Sequence, residues 1–419
     1  MEVTNDASAE NSKVNEDRIT SLSDDIKQMI LDHLSLKEAV STSFLSRDWR
    51  YVWRFCSNFF LDDRTFPNII NAVNEVLSVH KRDIHTFFAI GNDNGDEDED
   101  EDEEDIFLDI SSELINSWLD CLANARVRNL KLRFRTENIS LISSSLFRCD
   151  RLITLDLAYM KLVLPQSFNE FRSLTNINFK YLFINSLDLE RLIKSCPLLK
   201  KLKLNYLYCE ILNIHSLNLK YLKVSGYYSC VNLNETPMIT DASISTTFFH
   251  DDCDFTNVLH NLTGVKALDL KMHTIKHLKL DNGLIFNNME KLNVTWSLDC
   301  KEDTETIISI LRCSPTLDCL HIQSLVKGTF FQEIEQFWDV FVDFKLNRLK
   351  IFSIYNVWKV PPELRLIEFV FRNAPLLEQF HTNNLISGMD DEFYKDQIMS
   401  FPKDSSSIKF CFSCLHKFQ

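Results

Sequence analysis

Apolar and polar positions alternate in two rhythms along this chain. From residue 17 to 53 the rhythm is helical. Leu22, Ile26, Met29, Ile30 and Leu34 recur at three- and four-residue steps, which puts them on one helix face. Ser21 or Ser23 can cap that helix, and Asp24 and Asp25 suit its positive N-terminal end. The pattern predicts a second short helix over 37–44, with Ala39, Val40 and Phe44 facing inward. A third is expected from Ser46, carrying Trp49, Val52 and Trp53. Three short helices make a thin core with more large apolar residues than it can bury. The surplus either marks a partner surface or packs on the rest of the chain.

Beyond residue 126 the rhythm becomes L-x-x-L-x-L. It runs Val127-x-x-Leu130-x-Leu132, then from Leu152 through Leu155 and Leu157, and from Leu174 through Ile177 and Phe179. Copies follow at Leu199, Leu219, Val265, Met289, Leu317 and Leu346. The first spacings are 25, 22, 25 and 20 residues, and a 46-residue gap precedes Val265. This is the leucine-rich-repeat period: each unit supplies one strand and a returning helix or loop, and only stacked units bury their leucines. The gap hides a degenerate repeat or an insertion, and Ile275-x-x-Leu278-x-Leu280, off the period, reads as an extra strand. Cys196-Pro197, Ser314-Pro315 and Ala374-Pro375 each stand just before a strand, where proline halts a helix. Cys149 and Cys196 share one repeat phase and are expected to be buried structural thiols.

The wording of the first segment is more specific than its rhythm. Residues 17–26, 30–34 and 37–53 closely resemble the F-box of plant F-box/LRR proteins, with Ser23 where the family usually has proline. Residues 366–380 resemble the FBD motif that ends many of these chains. The resemblance implies an α/β protein: an N-terminal three-helix F-box followed by a leucine-rich-repeat solenoid, a curved parallel sheet with helices and loops outside. Expected boundaries are a disordered tail over 1–16, F-box over 17–60, repeats over 61–345, an FBD-like repeat over 346–385 and a C-terminal segment over 386–419. The implied function is substrate recognition for a Skp–cullin–F-box ubiquitin ligase, with a Skp-type adaptor as partner. The alternative is an LRR interaction scaffold with a non-functional F-box. Leu22, Ile26, Ile30, Leu31, Leu34, Val40, Leu45, Trp49 and Trp53 are assigned to adaptor docking or to the F-box core, two roles the sequence does not separate.

Residues between the core leucines point to the opposite, concave face. They include Lys131, Arg133, Asp156, Lys180, Lys201, Lys203, Tyr221, Lys223, Lys271, Lys279, Lys291, His321 and Lys350. Three readings of this basic stripe stay open. It receives an acidic or phosphorylated substrate segment, it is masked by the chain's own acidic loop, or its lysines simply solubilise exposed strand positions.

Charge sharpens this. The net charge is −15, but residues 96–105 form an unbroken acidic run, expected as a solvated loop within 91–105. Overall acidity argues against nucleic-acid binding, and no apolar run is long enough for a membrane helix. The N-terminal residues lack the features of an export signal. Cytoplasmic or nuclear residence is therefore expected, with the twelve cysteines reduced and the sequons at Asn138, Asn234, Asn261 and Asn293 idle.

No catalytic pattern emerges. The seven glycines form neither a P-loop nor a dinucleotide fingerprint, and there is no G-x-S-x-G or H-E-x-x-H. His273 and His277 sit in a strand-like stretch. Cys411, Cys414 and His416 lack a second C-x-x-C pair and are assigned to a C-terminal strand. The expectation is a non-catalytic adaptor with no metal and no cofactor.

Overall fold

A leucine at the first, fourth and sixth position of each unit dictates a strand that hides one face. In extended chain the fourth and sixth side chains share a side, and the residue between them points the other way. The computed structural model describes residues 18–80, 82–91, 108–142, 144–246, 255–272, 283–297, 301–325, 345–357, 361–384 and 391–413. The tail over 1–16, the acidic run, the extra strand at 275–280, His273, His277, Lys279, Cys414 and His416 lie outside these residues.

Among the described residues a strand stands at each of the nine predicted copies, in one fourteen-stranded parallel sheet whose order follows the chain. The ninth copy is corrected in phase: Leu349, Phe352 and Ile354, not Leu346, Leu349 and Ile351, match the buried positions of its neighbour, so Lys350 precedes the strand and Ser353 takes the place between the buried residues. In sequence the strands are Asn58–Asp62, Thr86–Gly91, Asn129–Phe134, Thr154–Ala158, Asn176–Lys180, Lys201–Tyr208, Tyr221–Tyr227, Asp241–Thr246, Ala267–Met272, Lys291–Ser297, Cys319–Leu325, Ile351–Val357, Gln379–Asn384 and Lys409–Ser413. The register keeps like residues side by side. Leu130 pairs with Leu155, then Ile177, Leu202, Leu222, Ala242, Leu268, Leu292, Leu320, Phe352 and Phe380. Every one of these side chains is buried, each worth about 1.5–3 kcal/mol of burial for the larger ones.

The 46-residue gap is a degenerate repeat. Strand Asp241–Thr246 fills it, with Ile239, Ala242 and Ile244 on the buried positions. Alanine in the second place hides it from a leucine pattern. Two strands before Val127 also escaped the pattern, because phenylalanine and alanine stand for leucine at Phe59, Phe87 and Ala89.

The chain returns between strands along the far side of the core. Helices Ile69–Val79, Ser112–Asn124, Ser186–Lys194, Phe255–Asn261, Lys301–Arg312, Pro361–Asn373 and Asp391–Ser400 do so in most units. Elsewhere short strands suffice, Ser140–Ile142 beside Met160–Leu162 and Ile211–His215 beside Cys230–Asn234. Pro197, Pro315 and Pro375 follow helices Ser186–Lys194, Lys301–Arg312 and Pro361–Asn373, as expected. Cys149 and Cys196 are buried, their thiols pushed up to about 12 by burial. Cys149 follows a 3-10 helix, Leu146–Arg148. Strand Lys409–Ser413 confirms the C-terminal assignment of Cys411.

Candidate functional site

Two surfaces carry the candidate residues: the N-terminal helices and the leucine-free face of the sheet. The first helix, Asp24–Leu31, buries Lys27 and Leu31 one turn apart and turns the rest of its apolar residues outward. Ser23 stands at its N-cap, yet its hydroxyl makes no capping bond; Asp24 and Asp25 occupy the first turn. The second helix, Leu36–Ser41, starts with a reciprocal capping box between Ser35 and Glu38. Those bonds from Ser35 hold the Glu38 carboxyl below its usual range. The S-x-x-E spelling at 35–38 was a readable signal for this start.

The expected inward face of this helix is corrected. Leu36 and Ala39 are buried, whereas Val40 and Phe44 are exposed, Phe44 to 90%. The helix is short and tightens into a 3-10 helix, Thr42–Phe44, so Val40 and Phe44 stack on its outer side. The third element is also corrected. Bonds spanning three residues link Arg50 to Arg47, Val52 to Trp49 and Arg54 to Tyr51, and only Val52–Phe55 forms a 3-10 helix. Trp49 anchors the unit: it is buried, its indole donates to the Ile19 carbonyl at 3.3 Å, and the Lys27 ammonium lies 5.9 Å from its ring.

Burial divides the assigned residues into two groups. Leu31 and Trp49 are core, and Leu22 and Trp53 pack partly against it. Ile26, Ile30, Leu34, Val40 and Leu45 are exposed, joined by Met29 at 65% and Phe44. These exposed apolar side chains are the candidate interaction surface of the unit.

The helical unit is sewn to the sheet. The backbone and hydroxyl of Ser57 both donate to Asp32, at 3.2 and 2.9 Å, just before the first strand. Arg82 donates to Gln28 and lies over Phe55.

On the sheet, Lys131, Lys203 and Lys223 occupy one cross-strand row with Asp156 and Asn178 between the first two. Lys201 and Tyr221 sit in the row beside it, and Lys291 continues that row further along. Two members of the expected basic stripe are not open. Arg133 is 4% and Lys180 5% exposed. Arg133 makes a two-pronged bond to Asp156 at 2.8 and 3.1 Å, and Asn178 adds a third at 2.9 Å. The carboxylate cancels the guanidinium in place, which removes Arg133 as a free anion ligand. Lys180 lies against the Tyr181 ring at 5.7 Å.

Nor is the stripe uniformly basic. Asp241 and Asp269 share this face, and burial together with their charges raises the Tyr221 hydroxyl pKa. Asp241 belongs to the degenerate repeat, but Asp269 stood in the pattern itself. What remains is a compact basic cluster, with Lys201 4.9 Å and Lys203 5.8 Å from the Tyr221 ring and Lys223 two residues along the same strand. Further on, the row continuing from Asp269 is free of formal charge, with Asn293, His321, Ser353 and His381 in register. Burial and the Lys291 charge push the His321 imidazole down to about 4.

Sequence reading missed one more feature. Tyr159 and Tyr181 directly follow their strands and Tyr206 stands at a bulge within Lys201–Tyr208, all three in left-handed conformation with φ of 61°, 49° and 53°. Each such residue costs roughly 1–2 kcal/mol. The signal was a recurring apolar-x-Tyr at 157–159, 179–181 and 204–206. Among the described residues no three His, Cys, Asp or Glu side chains are grouped to hold a metal, and no helix is long and apolar enough to cross a membrane.

The comparisons with known proteins agree with this division. The F-box domain model matches residues 19–61. The model described as "FBD-associated F-box protein At5g56370, LRR repeats" matches 115–322. The F-box/FBD/LRR-repeat protein At1g13570 of Arabidopsis thaliana is 27% identical, over 94% of this chain and 98% of its own. The putative F-box/FBD/LRR-repeat protein At2g05300 of the same plant is 30% identical, over 94% of this chain and 96% of its own. A helical unit with an outward apolar face, a repeat sheet in strict order and near-full-length similarity of this kind place the chain in the F-box/FBD/LRR-repeat family.

Proposed function

We propose that this protein is the substrate receptor of a Skp–cullin–F-box ubiquitin ligase. The observation that carries the reading is the exposed apolar face of the F-box, Ile26, Met29, Ile30, Leu34, Val40, Phe44 and Leu45. A Skp-type adaptor covers it and bridges to the cullin. Leu31, Trp49, Leu22 and Trp53 support the face from within. The receptor does no chemistry. It holds a target so that a lysine meets the charged ubiquitin carrier at high effective concentration. The target lies on the inner face of the sheet. Its contact is the cluster of Lys201, Lys203, Lys223 and Tyr221, which suits an acidic or phosphorylated segment.

The test is binding of the purified chain to a Skp-type adaptor, beside an Ile30→Asp, Leu34→Asp double variant. Each residue sits within the exposed face, so the pair should weaken binding at least ~100-fold while leaving the fold intact. Failure of the wild-type chain to bind would overturn the reading. It would favour the second one, a repeat scaffold whose F-box does not engage a ligase, which the uncapped Ser23 supports.

A further inference from the structure

Three successive repeats carry a stack of tyrosines that stops abruptly. After Ala158, Lys180 and Asn205 the chain inserts one left-handed residue, Tyr159, Tyr181 or Tyr206. Their rings stack, Tyr159 on Tyr181 at 5.1 Å and 14°, and Tyr181 on Tyr206 at 4.3 Å and 5°. The backbone repeats with them: Tyr159 N–H donates to the Lys180 carbonyl at 3.1 Å, and Tyr181 N–H to the Asn205 carbonyl at 3.0 Å. A bulky side chain at positive φ persists only where its surroundings enforce it, and such strain gathers at binding sites.

One unit further on, the pattern breaks. Tyr206 N–H donates to the Ser225 hydroxyl instead, at 3.3 Å. The pairing steps from Val224 opposite Leu204 to Gly226 opposite Leu207, so nothing is inserted across from Tyr206. Gly226 has φ of 142°, and a Cβ there would meet the Leu207 carbonyl oxygen at 2.3 Å. No side chain can extend the stack from that position. The next aromatic, Tyr227, joins a separate row with Tyr208 at 4.9 Å, itself on Phe183 at 5.5 Å. Among the described residues Tyr206 thus has a ring on one side only, and it is 39% exposed.

We propose that the open face of Tyr206 is a slot for an aromatic side chain of a protein segment lying across the sheet, a guest ring that completes the stack. The inference rests on the receptor reading and deepens it. A guanidinium also stacks on tyrosine, but Lys201, Lys203 and Lys223 on the same two strands repel a cation and leave a neutral ring unaffected. The resulting recognition element is an aromatic residue beside acidic ones.

The full-length chain is panned against a random twelve-residue peptide library, alongside Tyr206→Ala and Tyr227→Ala variants with wild-type circular dichroism and melting. Enriched peptides should share one aromatic position. A synthetic peptide of that consensus should bind wild type and Tyr227→Ala alike and Tyr206→Ala at least tenfold more weakly. Changing its aromatic residue to leucine should weaken binding to wild type and leave binding to Tyr206→Ala unchanged. Arginine at that position, no enrichment, or equal binding by Tyr206→Ala would overturn the proposal. Adaptor binding is measured on the same preparations. If it holds while the peptide result fails, the slot alone is wrong, and if it is absent from the wild type, the receptor reading is wrong.

Discussion

Replacing Asp156 by leucine should destabilise the protein far more than its place on an exposed-looking face suggests. The side chains of Arg133 and Asp156 are only 5% and 13% exposed, and the bonds between them are 2.8 and 3.1 Å long. The substitution takes the carboxylate from a guanidinium that stays in low dielectric, a loss of about 3–5 kcal/mol. Asn178 loses its acceptor as well, for about 1 kcal/mol. The companion variant Arg133→Met, Asp156→Leu removes both charges together and should lie within ~1 kcal/mol of wild type, since apolar pairs of similar volume replace buried ion pairs at little cost. Guanidinium unfolding gives the totals. Repeat arrays open in blocks, so hydrogen exchange over 129–134 and 154–158 should localise the loss. A single variant costing under ~1 kcal/mol, or a double variant worse than the single, would refute the claim that the pair is closed and unavailable to a ligand.

Gly226→Ala should cost at least ~2 kcal/mol, from its positive φ and the Leu207 backbone in the way, seen as a lower unfolding midpoint. His321 is held neutral, its pKa lowered from an ordinary 6.5 to about 4. The unfolded chain therefore takes up a proton between those values that the folded chain refuses. Stability falls as pH drops through this window, by about 3 kcal/mol before solvent screening of the partly exposed ring reduces it, and His321→Gln should flatten the slope. Alkylation at pH 8 should modify Cys121 and Cys411, which are exposed, and reach Cys149 and Cys196 only in denaturant, as read by peptide mass spectrometry.

The repeats were legible wherever a branched aliphatic residue held the buried position, because period and alternation together fix both strand and face. They were not legible where Phe59, Phe87, Ala89 or Ala242 did the same job without leucines enough around them, and Phe352 in a leucine's place left the ninth copy read three residues out of phase. Helix existence in the F-box was readable from spacing. Which side faced inward was not: the buried stripe of the second helix begins at Leu36, before the predicted start, which turns Val40 outward, and 3-10 winding from Thr42 resets the period before Phe44. The basic stripe was overread for a different reason. Strand parity says which way Arg133 and Lys180 point, but not that Asp156 closes over one and Tyr181 flanks the other.

The strict strand order has a metrical consequence. Adjacent strands stand about 4.8 Å apart, so the sheet is a scale graduated in sequence, starting at the seam where Asp32 grips Ser57. Whatever is held at the Lys201–Tyr208 strand sits roughly 25 Å above that origin, and whatever is held at Cys319–Leu325 roughly 50 Å. Gain or loss of a single unit would raise or lower every later position by one graduation without altering any of the side chains there. The height at which a bound chain is presented is therefore a quantity that repeat number can adjust independently of what the face recognises.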